Sequence, residues 1–98
     1  MPMIRKLKVV RAVVKPAQRD EYLGHWSKYA ELASAAGAQV RLLEDQALPG
    51  RFLEVTEHVA AEGMESALDA AVRDAELRRL CVRRDGDDLL YREVRPAG

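Results

Sequence analysis

Cysteine is all but missing from this chain. Cys81 is the only one, so no internal disulfide can form, and two histidines beside one thiol cannot close a structural zinc site. An excess of either charge is missing too. Lys and Arg number 16, and so do Asp and Glu, whereas a nucleic-acid module needs a basic surplus to meet phosphates. Long apolar runs are also lacking. The start Met1-Pro2-Met3-Ile4-Arg5-Lys6-Leu7-Lys8 is basic, the apolar stretch behind it is broken by Arg11 and Lys15, and no small-residue cleavage site follows. It therefore does not read as a signal peptide, and no segment approaches the roughly 18–20 apolar residues of a membrane span. With no disulfide framework, the expected location is cytoplasmic, with neither membrane nor nucleic acid as a partner. The sequence holds no Gly-rich phosphate loop, no Gly-x-Ser-x-Gly elbow, no His-Glu-x-x-His and no Cys-x-x-Cys, so no cofactor or metal is indicated.

What remains is an ordinary globular composition, 48% hydrophobic and 33% charged over 98 residues. That is enough for one domain and not for a second core. Chains this short bury about 60–70% of their unfolded surface and often need a disulfide, a metal or a partner subunit. With the first two unsupported, a partner subunit is expected.

From Met3 to Val14 the β-branched residues Ile4, Val9, Val10, Val13 and Val14 predict a long strand. Lys15-Pro16 ends it, since proline cannot donate to a ladder and suits the first turn of a helix. Over Ala17–Ala36, the residues Tyr22, Trp26, Tyr29 and Ala33 recur at helical spacing, Asp20 and Glu21 suit the positive end of the dipole, and Gly37 stands at the left-handed cap position. Gln39–Asp45 and Arg51–Val59 read as strands of a hairpin around Ala47-Leu48-Pro49-Gly50. From Ala60 onward, Met64, Ala67, Leu68, Ala71, Val72 and Ala75 predict a second amphipathic helix. Leu77 and Leu80 fall out of phase with that stripe and Asp74 could cap a fresh turn, so the helix is expected to kink near Asp74 to Leu77. Arg83-Arg84-Asp85-Gly86-Asp87 reads as a turn before a last strand, Leu89–Arg95. The other reading of this stretch is a hairpin between Cys81–Arg84 and Asp88–Tyr91.

Strand, helix, strand, strand, helix, strand is the ferredoxin-like βαββαβ order, an α+β fold with two helices on one face of a four-stranded antiparallel sheet. The other face is left bare, and an apolar face of that size calls for a partner. Along nearly its whole length the chain resembles the antibiotic-biosynthesis-monooxygenase (ABM)-like domains of the dimeric α+β barrel superfamily. The likeness rests on the length, the element order, the Val13-Val14-Lys15-Pro16 exit from the first strand, and the segment Arg51-Phe52-Leu53-Glu54-Val55-Thr56-Glu57-His58-Val59 ahead of an alanine-rich helix. The resemblance implies one domain over residues 1–98, a homodimer joined sheet to sheet, and cofactor-free monooxygenation of a small aromatic or polyketide-like molecule. The haem-degrading members use an asparagine, and this chain has none. A non-catalytic dimeric ligand-binding or assembly module is the alternative.

His25 and His58 are the candidate catalytic bases, since imidazole titrates near neutral pH; the competing reading places both at the surface or its boundary. Tyr22, Trp26 and Tyr29 are candidate substrate-binding residues if their stripe walls a pocket, and core residues if it does not. On strand alternation over Arg51–Val59, Phe52, Glu54, Thr56 and His58 share one face and Leu53, Val55, Glu57 and Val59 the other. The second face is the expected core. The first is then a dimer interface or a partly wet cavity, with Glu54 as a further substrate-binding candidate. Cys81, between Leu80 and Val82, reads as a small buried residue.

Overall fold

The computed structural model describes residues 3–94. Its elements are β1 (Ile4–Val14), α1 (Arg19–Ala35), β2 (Gln39–Glu44), β3 (Arg51–Val59), α2 (Met64–Asp74) and β4 (Cys81–Arg92), with one 3₁₀ turn at Pro16–Gln18 leading into α1. The sheet order is β2-β3-β1-β4 and every neighbouring pair is antiparallel. This is the ferredoxin-like βαββαβ arrangement. No helix is long and apolar enough to cross a membrane.

Strand β1 takes the centre because its β-branched run is long enough to pair on both sides. Arg5 to Val13 face Val59 to Arg51 of β3, while Ile4 to Val14 face Arg92 to Cys81 of β4, with a register shift between Val13 and Val14. Helix α1 ends as its glycine requires: Gly37 has φ 102, a conformation that costs a glycine little. The stripe Tyr22, Trp26, Tyr29 and Ala33 is buried against the sheet with Phe52, Val14 and Ala12, and Leu68, Ala71, Ala75 and Leu77 complete the core.

Three expectations need correction. Residues 83–87 form neither a turn nor a hairpin, because Cys81–Arg92 is one unbroken strand. The central strand presents eleven residues of unpaired edge, and laddering along it outweighs the local turn preference of Asp85-Gly86-Asp87. Gly86 instead lies flat opposite Val10, where a Cβ would meet Val10 Cγ2 at 2.7 Å. The faces of β3 are also the reverse of those expected. Phe52, Glu54, Thr56 and His58 lie under the helices, and Leu53, Val55, Glu57 and Val59 are only half covered on the open face. The dimer-interface reading of the first face is thereby removed. Finally, α2 starts at Met64 rather than Ala60, since Gly63, at φ 87, turns the chain just ahead of it.

Where a kink is expected, near Asp74 to Leu77, the helix instead ends at Asp74. Glu76 adopts φ 52, Leu77 N–H donates to Val72 O at 3.1 Å, and Leu77 turns inward to become 1% exposed. That is a left-handed helix termination with a non-glycine residue in the left-handed position. The expected end of the last strand at Arg95 and Pro96 lies outside the described residues.

Candidate functional site

Between α2 and strands β1 and β4 the two layers part, leaving a cleft of about 540 Å³. Val10 from β1, Leu68 and Val72 from α2, and Cys81 and Val82 from β4 form an apolar part of its wall, and Lys8, Asp69, Arg78, Arg83 and Asp88 make the rest charged. Its floor is polar. Period-two alternation puts Glu54 and Thr56 of β3 on the helix side, and helical spacing brings Tyr22 and Tyr29 of α1 down onto them. Tyr22 OH donates to Glu54 Oε2 at 2.6 Å, and Tyr29 OH and Thr56 Oγ1 are 2.6 Å apart.

Glu54 is 2% exposed, and a carboxylate so deep needs charged company. Arg84 supplies it, with Nη2 at 2.8 Å and Nε at 3.2 Å from Glu54 Oε1. Burial, reinforced by the Glu54 carboxylate, pushes the Tyr22 phenol far above its usual range, and burial raises Tyr29 as well. Both are hydroxyl donors at any physiological pH. The half-buried Cys81 thiol donates to Leu77 O at 3.4 Å, and burial pushes its pKa up to about 11, so it stays a thiol.

A second group of charges ties α2 to the sheet beside the cleft. Lys6 Nζ lies 2.6 Å from Glu65 Oε1 and 3.3 Å from Asp88, and Lys8 Nζ lies 3.3 Å from Glu65 Oε2. Pairing with Lys6 holds the Glu65 carboxyl below its ordinary value, and pairing with Glu65 raises Lys6. His58 sits beneath this group at 2% exposure. Its Nδ1–H donates to Val59 O at 2.8 Å, which leaves Nε2 buried, unpaired and 3.6 Å from Glu65 Oε1.

Of the six candidates read from the sequence, Tyr29 and Glu54 line the cleft. Tyr22 stands one hydrogen bond behind it. Trp26 is buried with its ring 5.2 Å from that of Tyr29. His25 reaches from α1 to the end of α2, its Nδ1–H donating to Ala75 O at 2.8 Å; neither it nor His58 is part of the cleft lining. The two histidines do not meet in one site, and His58 is buried rather than at the surface. Sequence reasoning missed Arg84 because its segment was read as a turn. The signal that could have found it is physical: a carboxylate on the inner face of a strand demands a cation.

A larger recess, about 740 Å³, lies by the β2–β3 turn on the open face, lined by Arg11, Val13, Leu43, Arg51, Leu53 and Arg83 among others. It is a hollow on the open face of the sheet, whereas the 540 Å³ cleft lies between the layers of the chain and has a built polar floor. The cleft is the better candidate site.

The same ferredoxin-like fold occurs in solved structures that carry provisional antibiotic-biosynthesis-monooxygenase names. A provisionally assigned antibiotic biosynthesis monooxygenase from Nitrosomonas europaea matches with a TM-score of 0.72 at 17% identity, over 96% of this chain and 94% of that one. Another with the same provisional assignment, from Chloroflexus aurantiacus, matches with a TM-score of 0.69 at 18% identity, over 96% and 97%. A dimeric ferredoxin-like protein from an uncultured marine organism matches with a TM-score of 0.65 at 8% identity, over 98% and 94%. No protein-family model matches the sequence, and no curated protein does.

Proposed function

We propose that this chain acts as a homodimer whose helix–sheet cleft takes a small aromatic or polyketide-like molecule and oxygenates it without a cofactor. The observation that carries this reading is the cleft itself. At about 540 Å³ it is within the usual range for small-molecule sites, and it sets an apolar patch of Val10, Leu68, Val72 and Val82 beside convergent hydroxyl and charged groups. The ABM-type names of its structural neighbours support the reaction class. In that chemistry an activated ring CH₂ becomes C=O, with one atom of O₂ retained, the other leaving as water, and no external reductant consumed.

The open sheet face supports the dimer. Leu7, Val9 and Val13 of β1 share it with Leu53, Val55 and Val59 of β3, Leu43 of β2 and Leu89 of β4. Clustered apolar side chains on an open sheet face favour a contact there, and here they stand among charged ones, Arg11, Arg51, Asp85 and Asp87, that could pair across it. Val9, flanked by Val55 and Asp87, is central to it, so Val9→Lys is expected to yield monomers by sedimentation analysis.

The decisive experiment is native mass spectrometry of the purified protein, followed by oxygen consumption with anthrone as substrate. A dimer carrying releasable mass, with oxygen uptake, supports the whole reading. A dimer that binds anthrone without oxygen uptake points to the non-catalytic module instead, a reading favoured by the placement of both histidines outside the cleft lining. A monomer removes the barrel.

A further inference from the structure

The floor of the cleft has used its acceptors and kept its donors. Both Glu54 oxygens are engaged, Oε1 by Arg84 and Oε2 by Tyr22. Arg84 carries five N–H groups and directs its Nε and Nη2 edge at Glu54, and among the described residues nothing accepts from Nη1. Tyr29 and Thr56 hold two hydroxyl protons and share one contact, so one proton is unspent. Arg78, exposed at the margin of the cleft, makes no ion pair among the described residues. The lining also carries the carboxylates of Asp69 and Asp88, which face Lys8 at 3.8 Å and Lys6 at 3.3 Å, so the groups at the floor and rim with no partner among the described residues are donors, two of them guanidinium.

An ion pair buried as Glu54–Arg84 is returns little net stability, because desolvation offsets most of the attraction. What it does fix is direction. A guanidinium held by two N–H bonds to one carboxylate oxygen has its plane set, and its remaining edge is presented without the entropy loss of ordering a free side chain.

Resting on the reading of the cleft as a ligand site, we infer that it selects a ligand with an ionised oxygen, a ring carboxylate or acidic phenolate, docked on the free edge of Arg84. The ring of that ligand lies between Val10, Leu68, Val72 and Val82. A neutral ring of the same size fills the walls equally well and leaves the floor donors unpaired. Charge-assisted hydrogen bonds of this kind correspond to roughly tenfold to a hundredfold in affinity.

The test is titration calorimetry of the full-length chain with 1-hydroxy-2-naphthoate and with its methyl ester. The acid is expected to bind at least tenfold more tightly. In the paired variant Glu54→Gln with Arg84→Gln, which leaves no charge unmatched, that preference is expected to vanish while the ester binds as before. Equal binding of acid and ester to the unaltered protein overturns the inference and leaves the pocket reading standing. Binding of neither at millimolar concentration overturns both. The comparison on the unaltered protein needs no variant, so a variant that fails to fold does not blunt it.

Discussion

Removing Glu54 or Arg84 singly should cost far more than removing both. Glu54→Leu strands the Arg84 guanidinium, which is 15% exposed, and the buried Tyr22 hydroxyl. Arg84→Leu leaves a carboxylate that is 2% exposed with Tyr22 as its only partner. Breaking a buried pair from one side typically costs about 3–5 kcal/mol, and the access of Arg84 to the cleft puts Glu54→Leu at the lower end. In the double variant the unpaired charge is gone and only the Tyr22 hydroxyl is orphaned, at about 1–3 kcal/mol. The coupling should therefore be at least about 2 kcal/mol. Urea unfolding followed by fluorescence of Trp26, the only tryptophan, reads this directly, at one fixed protein concentration because the stability of the proposed dimer would depend on it. Single variants costing under about 1 kcal/mol, or a double variant equal to their sum, would refute the claim that this pair is a mutually dependent buried unit.

Other perturbations follow from local geometry. Glu44 accepts from Arg19 Nη2 at 2.7 Å and from the Gly50 N–H at 3.1 Å, and these bonds, Arg19 first, hold its pKa at about 2 against an ordinary 4.5. Since the folded value is depressed, this stabilisation is complete above about pH 4.5 and disappears as pH falls toward 2; Glu44→Gln should flatten the acid limb of a stability–pH profile, and an unchanged limb would exclude the role. Glu76, at φ 52, holds a position that suits glycine, so Glu76→Gly should stabilise by about 0.5–1 kcal/mol and raise Tm. A lower Tm would mean that the Glu76–Arg79 pair at 3.2 Å outweighs the backbone term. Gly50→Ala should destabilise by more than about 1 kcal/mol, because the residue has φ 88 and a Cβ would fall 2.4 Å from Val14 O, next to the 2.8 Å bond from Val14 N–H to Gly50 O. Equilibrium unfolding that matches the unaltered protein would contradict it.

Much of the architecture is legible along the chain. The β-branched run of β1, the helical recurrence of Tyr22, Trp26, Tyr29 and Ala33, the cap at Gly37, the turn at Pro49-Gly50 and the phase break before Leu77 are all local signals, and each one marks a boundary or a buried face in the structure. The site was only half legible. Tyr29 and Glu54 could be named from spacing, but Arg84 sits in a stretch whose local chemistry favours a turn, and nothing nearby in sequence declares its partner 30 positions away.

Local periodicity determines which residues share a face, and for this protein it determined the element order, the pairing of β2 with β3 and the inward stripe of α1. It is silent on which of two alternating faces goes inward when both carry apolar and charged residues, as those of β3 do. Tertiary structure decided that. Tyr22, Tyr29 and Arg84, from α1 and β4, satisfy Glu54 and Thr56 on the inner face, so burying these polar groups leaves none of them unpaired. The same holds for β4, whose weak strand propensity is overridden by the free edge of β1. A hydrogen-bond ladder is a property of two segments together, and only the folded chain contains both.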